Sequence, residues 1–94
     1  MILHKLSASP FTSTSLIDCL KRAVTTDKIL LTQDAIYTCQ LKNAEDLLAP
    51  FAPIYCINDD LIARGIKLNQ QLYQAVDYAH FVELSLTCKQ VISW

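Results

Sequence analysis

The sequence predicts an α/β domain built on a five-stranded, mainly parallel sheet. Two observations carry that prediction. Short apolar runs alternate with capped amphipathic segments along all 94 residues, the pattern of a parallel sheet with crossover helices. One run, Ile54-Tyr55-Cys56-Ile57, is apolar throughout, as strands covered on both faces tend to be.

Ile2 to Leu6 is the first strand candidate, ended by Ser9-Pro10. Ser15 and Asp18 have capping-box spacing, and the helix that follows runs from about Leu16 to Val24 with Leu16, Cys19, Leu20 and Ala23 on one face. Ile29-Leu30-Leu31 reads as a second strand. Asp34 is placed to cap a short helix over Ala35 to Cys39, and Asn43 another over Ala44 to Ala49, which Pro50 stops because the residue before a proline avoids helical geometry. After the apolar third strand, Asn58 stands as cap with Asp59 and Asp60 in the first turn, Arg64 near the end and Gly65 just beyond. Acid, base and glycine in that order suit both the helix dipole and the capping rules. A polar stretch, Asn69-Gln70-Gln71, leads to a short strand near Tyr73 to Val76. Asp77 then caps a helix from Tyr78 to about Thr87, with Tyr78, Phe81, Val82 and Leu86 on its apolar face. Val91 to Trp94 forms the fifth strand, and Trp94 is expected to pack on its own sheet.

A chain of this length makes a single domain over residues 1–94, and such a domain buries only about 60–65% of the surface its unfolded chain exposes. The composition is 52% hydrophobic and 18% charged, more apolar material than so small a body hides easily. A membrane span needs about 20 consecutive apolar residues, whereas the longest run here, Ala49 to Ile57, carries Pro50 and Pro53. A protein partner is therefore the expected destination for the surplus. No export signal is visible at Met1-Ile2-Leu3-His4-Lys5, so the chain is expected in the cytoplasm, with its cysteines as thiols. The net charge of −1 and scattered Lys and Arg give no phosphate-binding patch, so no direct nucleic acid contact is expected.

Gly65 is the one glycine in the chain, which leaves no material for a phosphate loop. His4 and His80 lie far apart and neither has ligand spacing with a cysteine, so neither a metal nor a cofactor is expected. His4 is expected to pack or hydrogen-bond within its strand, and His80 to be solvated on the last helix. Asp34, Asp60 and Asp77 each follow a predicted strand, at the edge where open α/β proteins place ligands. Helix capping accounts for Asp34 and Asp77, and first-turn dipole compensation for Asp60. Among the four cysteines, Cys56 lies in the apolar strand, and Cys39 and Cys88 lie near helix ends where the dipole disfavours a thiolate. Cys19 sits close to a helix start with Arg22 three residues on, both of which favour the thiolate. Adjacent Asp18 and the Leu16, Leu20, Ala23 stripe argue instead for a buried packing residue, so both readings of Cys19 stand.

Several segments taken together are similar to one family. His4 and Ser9-Pro10-Phe11, then Leu30-Leu31-Thr32-Gln33-Asp34, then Asp60-Leu61-Ile62-Ala63-Arg64-Gly65, then Asp77-Tyr78-Ala79-His80-Phe81-Val82 and Trp94 resemble the TusB/DsrH family over essentially the whole chain. The resemblance implies a three-layer α/β/α domain of the DsrEFH-like kind. It implies TusC-like and TusD-like partner subunits in a heterohexamer with two copies of each, relaying persulfide sulfur toward 2-thiolation of the tRNA wobble uridine. In that relay the sulfur-carrying cysteine belongs to the TusD-like partner, and this chain is a non-catalytic subunit. Two positions depart from the TusB pattern. Ala35 stands where the family usually has glycine, which bears on the turn after the second strand. Cys19 stands where DsrH-like members carry a cysteine, which opens the alternative of a persulfide carrier in sulfur oxidation. A third possibility is a ligand-binding module using Asp34, Asp60 and Asp77.

Overall fold

A computed structural model describes residues 1–69 and 71–94; Gln70, in the predicted polar stretch, lies outside the described residues. The strands are β1 (Ile2–Leu6), β2 (Lys28–Leu31), β3 (Ile54–Ile57), β4 (Tyr73–Val76) and β5 (Gln90–Ser93). The helices are α1 (Ser15–Arg22), α2 (Ala44–Leu48), α3 (Asn58–Arg64) and α4 (Tyr78–Thr87), with 3-10 helices at Gln33–Gln40 and Ala49–Phe51. All five strands are parallel, in the order β4-β3-β2-β1-β5.

That order separates the helices. The first three crossovers step in one direction from β1 to β4, while α4 returns across the whole sheet to β5; with right-handed connections these lie on opposite faces. The core divides accordingly. Leu6, Ile29, Leu31, Ile54, Cys56 and Tyr73 on one face meet Leu16 and Cys19 of α1, Ile36, Leu48 of α2 and Leu61 of α3. On the other face Leu3, Leu30, Tyr55, Ile57 and Val76 meet Phe81, Leu84 and Cys88. Each fully buried Leu or Ile contributes about 1.5–3 kcal/mol of transfer free energy, so the strand interiors hold the fold together.

Several helix ends differ from expectation. Thr14, not Ser15, occupies the α1 cap position, and its hydroxyl donates to Asp18 Oδ2 at 3.0 Å rather than the pair forming a capping box. Asp34 does not cap: the turn after β2 is made by Gln33, whose φ of 49° is left-handed, and a 3-10 helix follows directly. Ala35, the departure from the family's glycine, sits inside that helix and buried, so the unusual backbone falls two residues earlier. Asn43 precedes α2 but makes no side-chain cap. Pro50 does not end the structure there, because a 3-10 turn accepts it in its first positions, where the missing N–H is not needed. Asn58 is the first residue of α3, with Ile57 in the cap position.

Other local expectations are met. Gly65 ends α3 at φ 63°, its N–H donating to the Ile62 carbonyl at 3.2 Å while the Ile66 N–H donates to that of Leu61 at 3.1 Å, the two bonds of a Schellman ending. Asp77 caps α4 by accepting the His80 N–H at 2.8 Å. The predicted apolar face of α4 is turned around, however. Leu84 is buried and Phe81 half-buried, while Tyr78, Val82 and Leu86 are 58%, 50% and 80% exposed. The helix is apolar on two sides, and periodicity alone could not choose between the stripe 81-84-88 and the stripe 78-82-86.

Candidate functional site

The carboxyl ends of β2 and β3 bring two of the three predicted strand-end acids together. Arg64, near the end of α3, donates through Nε and Nη2 to Asp34 Oδ1 at 3.2 and 3.0 Å. Its Nη1 lies 3.6 Å from Asp60 Oδ1 and donates to the Asp60 carbonyl at 3.4 Å. Asp60 Oδ2 in turn accepts the Gln33 N–H at 2.8 Å, which anchors the left-handed turn. The arrangement ties the end of β2 to α3 and leaves Asp34 exposed, so as an ion pair it is worth no more than about 1 kcal/mol. Asp77 is not part of it and is taken up by its α4 cap.

Cys19 lies on the inward side of α1, with no solvent exposure. Burial, and after it the negative charge of Asp27, pushes its thiol up to about 12. At neutral pH about one molecule in 10⁵ would carry the thiolate there. A Cys19 that carries sulfur therefore has to be uncovered first. The favourable Arg22 lies on the exposed side of the same short helix.

Asp27 belongs to a buried polar lock absent from the sequence reading. His4 Nε2 lies 2.9 Å from Asp27 Oδ2, and the Trp94 indole Nε1 donates to His4 Nδ1 at 3.1 Å. An indole only donates, so Nδ1 accepts and the His4 proton sits on Nε2, facing the carboxylate. Ile2 and Val24 add backbone N–H bonds to Asp27 at 3.0 and 3.2 Å. Burial alone would raise the Asp27 carboxyl, but the hydrogen bonds from His4, Ile2 and Val24 outweigh it and hold the group below its ordinary value. The lock joins β1, the turn before β2 and the residue after β5. It accounts for His4 hydrogen-bonding in its strand and for Trp94 packing on its own sheet, as expected. His80, expected in solvent, is half-buried with its ring edge-on to Tyr55 at 5.8 Å between centroids.

The remaining thiols are arranged differently from the sequence reading. Cys39, half-buried in the 3-10 helix after β2, packs against the core cluster that holds Cys56, which is fully buried on β3. The influence of the Cys56 thiol lowers the Cys39 thiol below its ordinary value against the opposing effect of burial, while Cys39 and burial raise Cys56. Tyr73 on β4 completes the cluster. Its hydroxyl is buried beside both sulfurs without a well-aligned hydrogen bond, and burial first, then the neighbouring sulfurs, keep it protonated. The helix-dipole argument missed Cys39, because a short 3-10 helix has little dipole and the neighbouring thiol decides. The only signal in the sequence was that Cys56 and Tyr73 are apolar-strand residues carrying polar atoms. Among the described residues no group of three or more His, Cys, Asp or Glu could hold a metal ion, and no helix is long and apolar enough to cross a membrane.

Comparison with known proteins gives these features a family context. Residues 8–91 match the family described as DsrH like protein. The protein TusB of Buchnera aphidicola is 34% identical over 98 residues, covering 99% of this chain and all of that protein. The protein TusB of Yersinia pestis is 36% identical over 100 residues, again with 99% of this chain and all of the relative covered. Among solved structures, the crystal structure of the ychN protein from E. coli superposes with a TM-score of 0.82 at 16% identity, covering 99% of this chain and 97% of that one. The solution structure of protein Tm0979 from Thermotoga maritima gives 0.63 at 25% identity, covering 89% and 90%. The all-parallel three-layer fold, the family match and the full-length relatives agree, and the chain belongs to the DsrH-like family, with TusB proteins among its relatives.

Proposed function

We propose that this chain is a non-catalytic subunit of a TusBCD-like sulfur-relay complex that supports 2-thiolation of the wobble uridine in tRNA. The observation that carries the reading is its full-length relationship to TusB proteins at 34–36% identity. In this reading it works in the cytoplasm as a single domain, docked with TusC-like and TusD-like subunits in a heterohexamer, and meets tRNA only through other proteins. The outward stripe Tyr78, Val82 and Leu86 on α4 supports it, being apolar surface of the kind a stable interface covers. So does the burial of Cys19, which leaves the sulfur-carrying thiol to a partner. Co-expression with TusC-like and TusD-like chains should yield one complex that survives size exclusion. A chain that elutes alone in the presence of both would sink the proposal.

The second reading is a DsrH-like persulfide carrier in sulfur oxidation, with Cys19 as the carrier. The match to the DsrH-like family, which spans Cys19, favours it. Incubation with a persulfide donor followed by peptide mass analysis distinguishes the two: sulfur added to Cys19, and transfer lost in Cys19→Ser, would establish the carrier.

A further inference from the structure

The His4 lock fastens a strand that has few other side-chain attachments. On β5, Gln90, Val91 and Ser93 are exposed and Ile92 is half-buried, so backbone pairing with β1 and the Trp94 side chain supply most of its hold. Trp94 is bound at two points. Its backbone N–H donates to the Lys5 carbonyl at 2.8 Å, and its indole Nε1–H donates to His4 Nδ1 at 3.1 Å. We propose that His4 and Trp94 form a proton-sensitive latch: a proton added at His4 Nδ1 expels the indole and loosens β5 from the edge of the sheet, while His4 keeps its hold on Asp27.

The two ring nitrogens respond to that proton in opposite ways. Neutral His4 donates from Nε2 to Asp27 Oδ2 at 2.9 Å and accepts at Nδ1. Because an indole nitrogen only donates, a second proton on the ring sets two N–H donors 3.1 Å apart. The attraction becomes a repulsion, and a buried donor is left without an acceptor. The Nε2 contact strengthens instead, since an imidazolium then faces a carboxylate. His4 is completely buried, which opposes charging it, and the carboxylate 2.9 Å away offsets that cost. The other neighbours are neutral or turned away. The residues beside His4 in register, Ile29 on β2 and Ile92 on β5, are apolar. From α1 the inward titratable group is Cys19, whose thiol is pushed up to about 12 and stays neutral, while Asp18, Lys21 and Arg22 are exposed. Lys5, next along β1, extends over the Phe81 ring of α4 on the other face, at 5.5 Å. Asp27 is therefore the charged group on which the ring depends, and its lowered carboxyl keeps it ionised across the range in which imidazoles titrate.

The test uses the full chain without partners, so its outcome is separate from that of the relay proposal. Trp94 is the single tryptophan, and the emission of the protein therefore reports the latch directly. Between about pH 8 and pH 5, the window of imidazole titration, emission should move to longer wavelength and become more open to acrylamide quenching, with far-UV circular dichroism unchanged. Hydrogen exchange at the Trp94 amide, corrected for its intrinsic pH dependence, should quicken about tenfold over the same range. His4→Gln offers an amide that can accept from the indole and donate to Asp27 but gains no proton, so its emission should stay at the pH 8 position throughout. His80→Asn, which removes the other histidine, should keep the wild-type transition. A wild-type emission that does not move, a transition that persists in His4→Gln, or one that appears only together with loss of circular dichroism would each overturn the latch. Nitrogen NMR of the wild type decides the question even if His4→Gln fails to fold: the indole Nε1–H should lose its protection as His4 becomes doubly protonated. An indole that stays hydrogen-bonded to the doubly protonated ring, or a His4 that takes up no second proton by pH 5, would refute it.

Discussion

At the scale of single residues, the most consequential side chain is Asp27, which accepts from His4 and two backbone amides in a buried setting. Its carboxyl is held below 3.8, so the stability it provides is fully present above that pH and is lost as pH falls through the lower folded value. Asp27→Asn should therefore destabilise the chain at neutral pH by about 2–4 kcal/mol, because donors are left facing an amide, and should flatten the acid limb below about pH 4. Urea midpoints measured from pH 7 down to pH 2 check both effects. Gly65 gives a cleaner case. A Cβ there would meet nothing within 4 Å, so Gly65→Ala carries only the conformational cost of φ 63°, about 1 kcal/mol, read as a melting temperature a few degrees lower.

At the scale of elements, α4 separates folding from docking. Leu84 is buried against the sheet and Leu86 is 80% exposed, two residues away on the same helix. Leu84→Ala should cost about 2–4 kcal/mol of stability. Leu86→Ala should stay within about 0.5 kcal/mol of wild type. If the outward stripe is a docking face, Leu86→Asp should fold normally yet lose co-elution with TusC-like and TusD-like chains, while Leu84→Ala that still folds should keep it. A Leu86→Asp variant that assembles normally would show that partners use another surface. The 3-10 helix after β2 is a second telling element, since Gln33, Asp34, Asp60 and Arg64 hold one end of the segment that carries Cys39 at the other. Asp60→Ala should loosen that turn and raise hydrogen exchange across residues 33–40 without disturbing α4.

At the scale of the whole molecule, the radius of gyration of 11.9 Å is what a compact chain of this length requires, about 12 Å. The exposed apolar residues are therefore not a sign of loose packing; they are what remains after one face of the sheet receives three helices and the other receives α4 alone. A body this small keeps a thin stability margin. Binding partners should raise its melting temperature by mass action, with the increment growing with partner concentration, and differential scanning fluorimetry of the chain against a titrated TusC-like and TusD-like pair measures it.

The amino-acid order by itself determined all five strands nearly to the residue, the Gly65 stop and the Asp77 cap, because strand hydrophobicity and helix ends are local properties of a few neighbouring residues. It also determined the family, through motifs spread over the whole chain. Only the tertiary structure decided which stripe of α4 faces inward, that Asp34 and Asp60 share Arg64, that Cys19 is sealed, and that Cys39 packs against the core cluster holding Cys56. Those outcomes depend on contacts between residues far apart in sequence, and on which face each crossover takes. Neither propensity nor spacing encodes such contacts.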